Sequence, residues 1–396
     1  MGLSGLVTGV SGGTINPYCS ASFPSTDTYT GLENYELISV HLMTRHGDRA
    51  PITKFPTGSE ESSGPATRWV CSPGDISNSS VTFQGMSSIK DIRFEEGGVC
   101  SKDHLTDKGI HQLAQLGKEL RQIYKAQLAD GVFVNTTWTQ RTYWSAVALM
   151  SGLLDSKHPK FVIHSKPLKK DGLIHLYDKC RLGKHLSEEF IKTNEFQSAN
   201  AFLVKVANDY GLKFRDHPLA AYLAVDNLRC LDCHQMSLPS SKPDKSTIYK
   251  ATDEFIKAMF FPASSSAQLH RMLIGTYLKD LKQQLQHPRK ETMPRFFYTS
   301  AHDVSISALL SSLNFTSTGT PPYASNFITE LWAKKSNCRS RRNSKHVRFL
   351  YNGKVVSPPW CQAVCPLETF LNYIGQLGIH VSNESHPEFF FESECE

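Results

Sequence analysis

The sequence predicts an α/β fold carrying a helical insertion, and three observations predict it. Short runs rich in Val, Ile, Phe and Tyr alternate with apolar stripes at helical spacing over residues 35–172. The alternation stops between Leu173 and Pro288, where Ala201–Asn208, Leu219–Leu228, Thr247–Phe261 and Ala267–Gln286 read as helices without clear strands between them. It resumes over residues 289–396. The expected organisation is a core from 35–172 and 289–396, a helical cap over 173–288, and a Gly/Ser/Thr/Pro-rich lead over 1–34 that has little to bury and is expected to be poorly ordered.

The first strand is Tyr35–Leu42, apolar and β-branched with no Gly or Pro. It runs into Arg45-His46-Gly47-Asp48-Arg49-Ala50-Pro51, which places two guanidinium groups around one imidazole at the carboxyl end of a strand, where open α/β sheets bind ligands. A guanidinium fork matches phosphate oxygens, and a neutral imidazole nitrogen is a nucleophile. Gly47 is expected to let the backbone approach the ligand. Residues 52–104 are turn-rich and follow the motif directly, which suits a substrate rim or a disordered stretch equally.

Leu105-Thr106-Asp107-Lys108-Gly109 opens a helix whose stripe is Ile110, Leu113, Leu116, Leu120 and Ile123. Gly131–Val134 is a short strand, followed by Arg141 and by a helix through Val147, Met150 and Leu154; Phe161–His164 is another strand. After the helical insertion, Arg295–Ser300 is a strand ending at His302 and Asp303, with Asp303 expected to cap the helix through Ile306, Leu309, Leu310 and Leu313. Phe327–Trp332 and His346–Tyr351 are further strands, the second closed by a turn at Asn352-Gly353, and a last helix is expected to begin at Pro366.

The composition is that of a globular protein, with a formal charge of +6 that suits an anionic substrate without requiring one. Ten cysteines and sequons at Asn78, Asn135, Asn314 and Asn383 favour the secretory lumen; the pairing cannot be read from sequence. No run approaches the ~18 apolar residues of a membrane span. Met1–Gly13 lacks a charged start and makes a poor signal peptide. Cys230-Leu-Asp-Cys233-His234 fits the c-type haem attachment pattern, but disulfides or buried thiols suit it better, since no distal ligand framework accompanies it.

Arg45-His46-Gly47-Asp48-Arg49-Ala50-Pro51 after a strand, with His302-Asp303 after a later one, resembles the histidine acid phosphatases, branch 2 of the histidine phosphatase superfamily. Cys230-Leu-Asp-Cys233-His234, Phe327-Ile-Thr-Glu330-Leu-Trp332, Val347-Arg348-Phe-Leu-Tyr-Asn352-Gly353 and Cys365-Pro-Leu-Glu368 are most similar to its 2-phosphoxylose phosphatase subgroup. The resemblance covers residues from about 35 to about 376. It implies a three-layer sandwich around a mixed, mainly parallel sheet with an inserted helical cap. It implies a phosphomonoesterase in which His46 forms a phosphohistidine, Arg45, Arg49, Arg141 and His302 hold the phosphate, and Asp303 protonates the leaving group. No metal or cofactor is expected, because the arginines neutralise the charge, and no nucleic-acid partner. Like-charge repulsion from bound phosphate favours the protonated acid, so an acidic optimum is expected.

The subgroup acts on the 2-phosphate of xylose in the glycosaminoglycan–protein linkage region and is anchored in the Golgi. The expectation is therefore a phosphorylated-sugar substrate and a Golgi-lumenal or secreted location, with no anchor in this sequence. That leaves a shortened N-terminus or another route into the lumen. Where many relatives have an acidic residue before the third arginine, this chain has Gln140; six residues before that arginine, where many have another, it has the sequon Asn135, whose glycan would narrow the site. A basic loop from Lys334 to Arg348, with Lys335, Arg339, Arg341, Arg342 and Lys345, is expected to attract anionic glycosaminoglycan chains or to be a processing-protease site. A generic acid phosphatase or phytase-like enzyme and a non-catalytic phospho-sugar binder are the other readings.

Overall fold

Tyr35–Arg45 forms β1, at the centre of a mixed sheet that has nine strands among the described residues. The structure, a computed structural model, describes residues 16–52, 69–72, 74, 76, 79–84, 98, 100–157, 159–166, 171, 173, 181–215, 219–238, 244–261, 267–288, 294–335 and 344–377. In chain order β1 is followed by β2 (Ser80–Gln84), α1 (Asp107–Leu128), β3 (Val132–Thr136), α2 (Gln140–Leu153) and β4 (Lys160–His164). Five helices follow: α3 (Arg181–Ile191), α4 (Asn194–Asp209), α5 (Ala220–Cys233), α6 (Lys245–Phe260) and α7 (Ala267–Gln286). The chain then returns through β5 (Phe296–Ala301), α8 (Asp303–Ser312), β6 (Asn326–Lys334), β7 (Lys345–Tyr351), β8 (Lys354–Val356), β9 (Cys365–Pro366) and α9 (Leu367–Gln376).

The strand order is β2-β4-β3-β5-β1-β6-β7-β8, with β9 also on β7. The run from β2 to β1 is parallel; β6 turns antiparallel to β1, and β7, β8 and β9 continue antiparallel. One face of the sheet packs Val40, Leu42, Val134, Phe296 and Tyr298 against α1 and α2. The other packs Met43, Ala301, Phe327 and Phe349 against α8 and α9, with α4 to α7 in the same core. The result is the three-layer α/β arrangement. Helices α1 and α2 cross closely because a Cβ at Gly117 or Gly152 would collide with the opposite helix's backbone.

Several details depart from the sequence expectation. Helix α1 opens within the expected stretch, capped by Thr106, which accepts from Gly109 N, but α8 is capped by His302, with Asp303 in its first turn. Pro366 precedes α9 rather than opening it. Strand β2 emerges from the turn-rich stretch, paired on β4 at the sheet edge. The lead has more to bury than its composition suggests: Tyr18 and Cys19 are buried, and Cys19 is bonded to Cys233. Cys71–Cys100 and Cys361–Cys365 are the other disulfides among the described residues. With Cys233 so paired and Cys230 a buried free thiol, thioether attachment of haem is closed off. Among the described residues no helix is long and apolar enough to cross a membrane, and the disulfides fit a secreted or lumenal protein.

Glu330 of β6 ties the central strands to their surroundings. It is fully buried and accepts from Tyr29 Oη and Tyr124 Oη (2.7 Å each), Trp332 Nε1 (3.0 Å) and Arg348 Nε (2.6 Å). Burial and this carboxylate push the Tyr29 and Tyr124 phenols well above their usual range, so both remain donors. Arg348 therefore leaves the basic cluster: it is a buried ion-pair partner. Arg339, Arg341 and Arg342 lie outside the described residues, while Lys334 and Lys335 are exposed. Glu330→Ala would strand the Arg348 guanidinium, and a loss of roughly 3–5 kcal/mol in urea unfolding is expected; a loss under 1 kcal/mol would show the network to be dispensable.

Candidate active site

The parallel register brings three strand ends together. Arg45 pairs with Ala301 at the end of β1 and β5, and Thr136 pairs with Ser300 at the end of β3. The residues just beyond these ends are His46, Thr137 and His302. Helices α2 and α8 start at the same rim, adding the positive ends of their dipoles. All six residues singled out from sequence gather here.

His46 is buried, and its Nδ1 lies 2.7 Å from Gly47 O. A carbonyl oxygen only accepts, so Nδ1 carries the proton and Nε2 keeps its lone pair. Burial, then Arg141, Arg45, His302 and Arg49, hold the imidazole well below its ordinary pKa. It is thus a neutral base among cations. The His302 ring stands edge-on at 5.6 Å between centroids, with His302 Nε2 2.8 Å from Thr137 Oγ1.

Each arginine is held by a different part of the chain. Arg45 donates through Nη1 to Pro321 O (2.5 Å) and through Nη2 to Tyr18 Oη (3.1 Å), pairs with Asp303 Oδ2 at 3.0 Å, and lies 4.2 Å over the Tyr323 ring. Arg49 pairs with Asp226 of α5, which also takes Arg229; despite burial, Arg49, Arg229 and Arg45 hold the Asp226 carboxyl below the usual range. Arg141 pairs with Asp103 at 3.0 Å and reaches to 3.5 Å from His302 Nδ1. Asp103 sits at a positive φ of 59°, unusual for a residue with a side chain. Burial, partly offset by Asp103, and the nearby Arg49 and Arg45 pull the Arg141 pKa down, the signature of a cation short of negative charge. The Nε atoms of Arg45, Arg49 and Arg141 are buried without partners. An anion with several oxygens answers both deficits.

Asp48 faces away from this cluster. It is buried and accepts from Thr106 Oγ1 (2.6 Å), with His234 Nε2 at 2.5 Å. Gly47 also serves packing: a Cβ there would collide with the Gly109 backbone at the start of α1. Gln140 is structural, accepting from Leu105 N at 2.8 Å. Asn135 lines a cavity of about 350 Å³ between the sheet and α7, with Thr276 and Tyr277 opposite.

Sequence reasoning did not find Tyr18, Asp103, Asp226, Arg229 or Tyr323. Only Tyr18 had a local signal, its position beside Cys19.

The family model of the histidine phosphatase superfamily (branch 2) matches residues 36–173 and 174–352. The chain belongs to that family. Curated relatives include human prostatic acid phosphatase (26% identical, covering 86% of this chain and 85% of that one) and mouse testicular acid phosphatase (28%, 84% and 78%). Human 2-phosphoxylose phosphatase 1 is 27% identical, covering 86% and 78%. Among solved structures, Hafnia alvei phytase superposes with a TM-score of 0.60 at 14% identity, covering 88% and 98%. The chain is accordingly a phosphoric monoester hydrolase of the histidine acid phosphatase type.

Protonation of His46 would remove the lone pair on Nε2, and the acidic limb of kcat/KM is where that loss would be read. With the His46 pKa depressed, that limb is expected below pH 6.5. Arg141→Gln removes a charge that depresses it, so the limb should move up towards neutrality relative to wild type on the same aryl phosphate, and KM should rise. A profile unmoved by the substitution would show that Arg141 does not act on His46.

Proposed function

We propose that His46 Nε2 attacks the phosphorus of a sugar phosphomonoester, and that the substrate is the 2-phosphate of xylose in a glycosaminoglycan–protein linkage region. The observation that carries the chemistry is a buried imidazole, bonded through Nδ1 to Gly47 O and surrounded by Arg45, Arg49, Arg141 and His302. As the Nε2–P bond forms, the bond from phosphorus to the sugar oxygen breaks, and Asp303 gives its proton to that oxygen. Water then attacks the phosphohistidine, returning a proton to Asp303 and releasing inorganic phosphate. The guanidinium groups and His302 hold the phosphate oxygens throughout, which is most of what phosphoryl transfer asks of a protein.

The substrate assignment is supported by the subgroup motifs and by relatives that bear the 2-phosphoxylose phosphatase name. Acid phosphatase relatives of equal identity favour a broader monoesterase as the second reading. A Golgi-lumenal location goes with the first reading. The basic loop is a poor contact for the scissile sugar. Lys334 pairs with Tyr35 at the start of β1, ten residues from Arg45, or about 30 Å at strand rise. Any contact with glycosaminoglycan there would engage the chain far from its linkage end.

The deciding experiment is a hydrolysis panel comparing a xylose-2-phosphate linkage oligosaccharide with aryl phosphate, phytate and phosphotyrosine, with His46→Ala as the blank. The linkage oligosaccharide should give the highest kcat/KM, and acid-labile, alkali-stable phosphate labelling should vanish in the variant. Preference for phytate or aryl phosphate would overturn the substrate, and turnover by His46→Ala would overturn the nucleophile.

Asp303→Asn should slow the sugar phosphate far more than an aryl phosphate, since an aryl oxyanion leaves without protonation. Equal slowing of the two substrates would reduce Asp303 to the partner of Arg45.

A further inference from the structure

Tyr18 lies outside the residues the family model matches, yet its side chain reaches into the arginine cluster. Its hydroxyl accepts from Arg45 Nη2 at 3.1 Å and donates to Asp226 Oδ1 at 3.2 Å. Asp226 is also the carboxylate that holds Arg49. The ring is flanked by two guanidinium groups, Arg229 at 4.0 Å and Arg45 at 5.2 Å from its centroid, and by the Tyr323 ring at 5.2 Å. Burial pushes the phenol up to about 12, so it remains a donor across the physiological range.

The backbone around Tyr18 is fixed to the same site. Tyr323 N donates to Tyr18 O at 3.1 Å, and Ala21 N donates to Tyr323 O at 2.8 Å. Cys19 O accepts from Gln112 Nε2 (2.7 Å), and Gln112 Oε1 accepts from Asp48 N (2.8 Å), inside the signature loop. On the other side of the Cys19–Cys233 disulfide, Cys233 O accepts from Lys108 Nζ (2.7 Å), and the next residue, His234, meets Asp48.

We propose that Tyr18 is a positioning residue of the phosphate site, held in register by the Cys19–Cys233 disulfide, its hydroxyl setting the plane of Arg45 directly and of Arg49 through Asp226. A guanidinium offers its donors in one plane, so its value to a tetrahedral anion depends on how that plane is held. Pro321 O fixes Nη1 of Arg45. Without the Tyr18 hydroxyl, Nη2 retains only Asp303, and the fork turns towards that carboxylate instead of the phosphate. The inference rests on the reading of this cluster as the phosphate site.

The test uses the full chain with Tyr18→Phe, which keeps the ring and loses the hydroxyl, and the double variant Cys19→Ala/Cys233→Ala. Losing a hydrogen bond to a charged group should raise KM for an aryl phosphate and Ki for inorganic phosphate together by about tenfold. In Tyr18→Phe, kcat should stay within about threefold of wild type, the pattern of lost uniform binding. The double variant should show the same rise with a lower Tm. A merely structural role would reduce the active fraction and leave KM and Ki unmoved, and that result in Tyr18→Phe overturns the proposal. An unmoved KM and Ki in the double variant overturns the part assigned to the disulfide. His46→Ala measured alongside separates the two readings: turnover there sinks the phosphate site itself, whereas an inactive His46→Ala with an unchanged Tyr18→Phe sinks only the role of Tyr18.

Discussion

Three guanidinium groups stand here around a neutral imidazole with little access to water, and that concentration of buried positive charge sets the terms for the structure around it. A buried cation must be paired, or it is expelled or neutralised. The counter-charges come from regions far apart in the chain: Asp226 from α5, Asp303 from the start of α8, and Asp103 from the loop before α1. Each is a point at which a separate element is pinned to the strand ends. The pairing is deliberately incomplete, since Nε of each core arginine is left over. On the proposed reading, that incompleteness is what would suit the cluster to an oxyanion instead of a closed ion-pair network.

The neutral state of His46 follows from the same arrangement. Burial disfavours protonation of the imidazole most, and the cations close to it disfavour it further. On the proposed reading, the groups that would bind the phosphate also keep the lone pair of His46 free, so one cluster of charge would perform both tasks.

Much of this was legible in the sequence, and the part that was not has a physical reason. The strand before Arg45, the stripe of α1 and the Asn352-Gly353 turn between β7 and β8 all show in local patterns, because local backbone preference and periodicity determine them. Arg45, His46 and Arg49 could be singled out as two guanidinium groups around one imidazole at a strand end, whereas Arg141, His302 and Asp303 were singled out by the resemblance of their surroundings to the family motifs. Asp226 could not: it is one acidic residue among several in a helical region, and only tertiary packing decides that it is buried against Arg49 and Arg229. Tyr18 sits in a lead whose composition reads as solvent-exposed, and its burial depends on a partner more than two hundred residues away. The packing role of Gly47 was hidden for a related reason: a glycine announces close approach without saying to what, and one neighbour here is Gly109.

The 214 residues that separate Cys19 from Cys233 also bear on how the protein is made. At ~5–20 residues per second, Cys19 waits about 10–40 s for its partner to be synthesised. Cys71 and Cys100, only 29 residues apart, emerge during that interval, and either can capture the waiting thiol. Where such capture occurs, the correct bond requires thiol–disulfide exchange after α5 has docked, and maturation then draws on the isomerase capacity of the compartment. A chain interrupted before α5 would carry Cys19 either as a free thiol or in a mispaired disulfide, and in both cases without the bond that fixes the lead to α5.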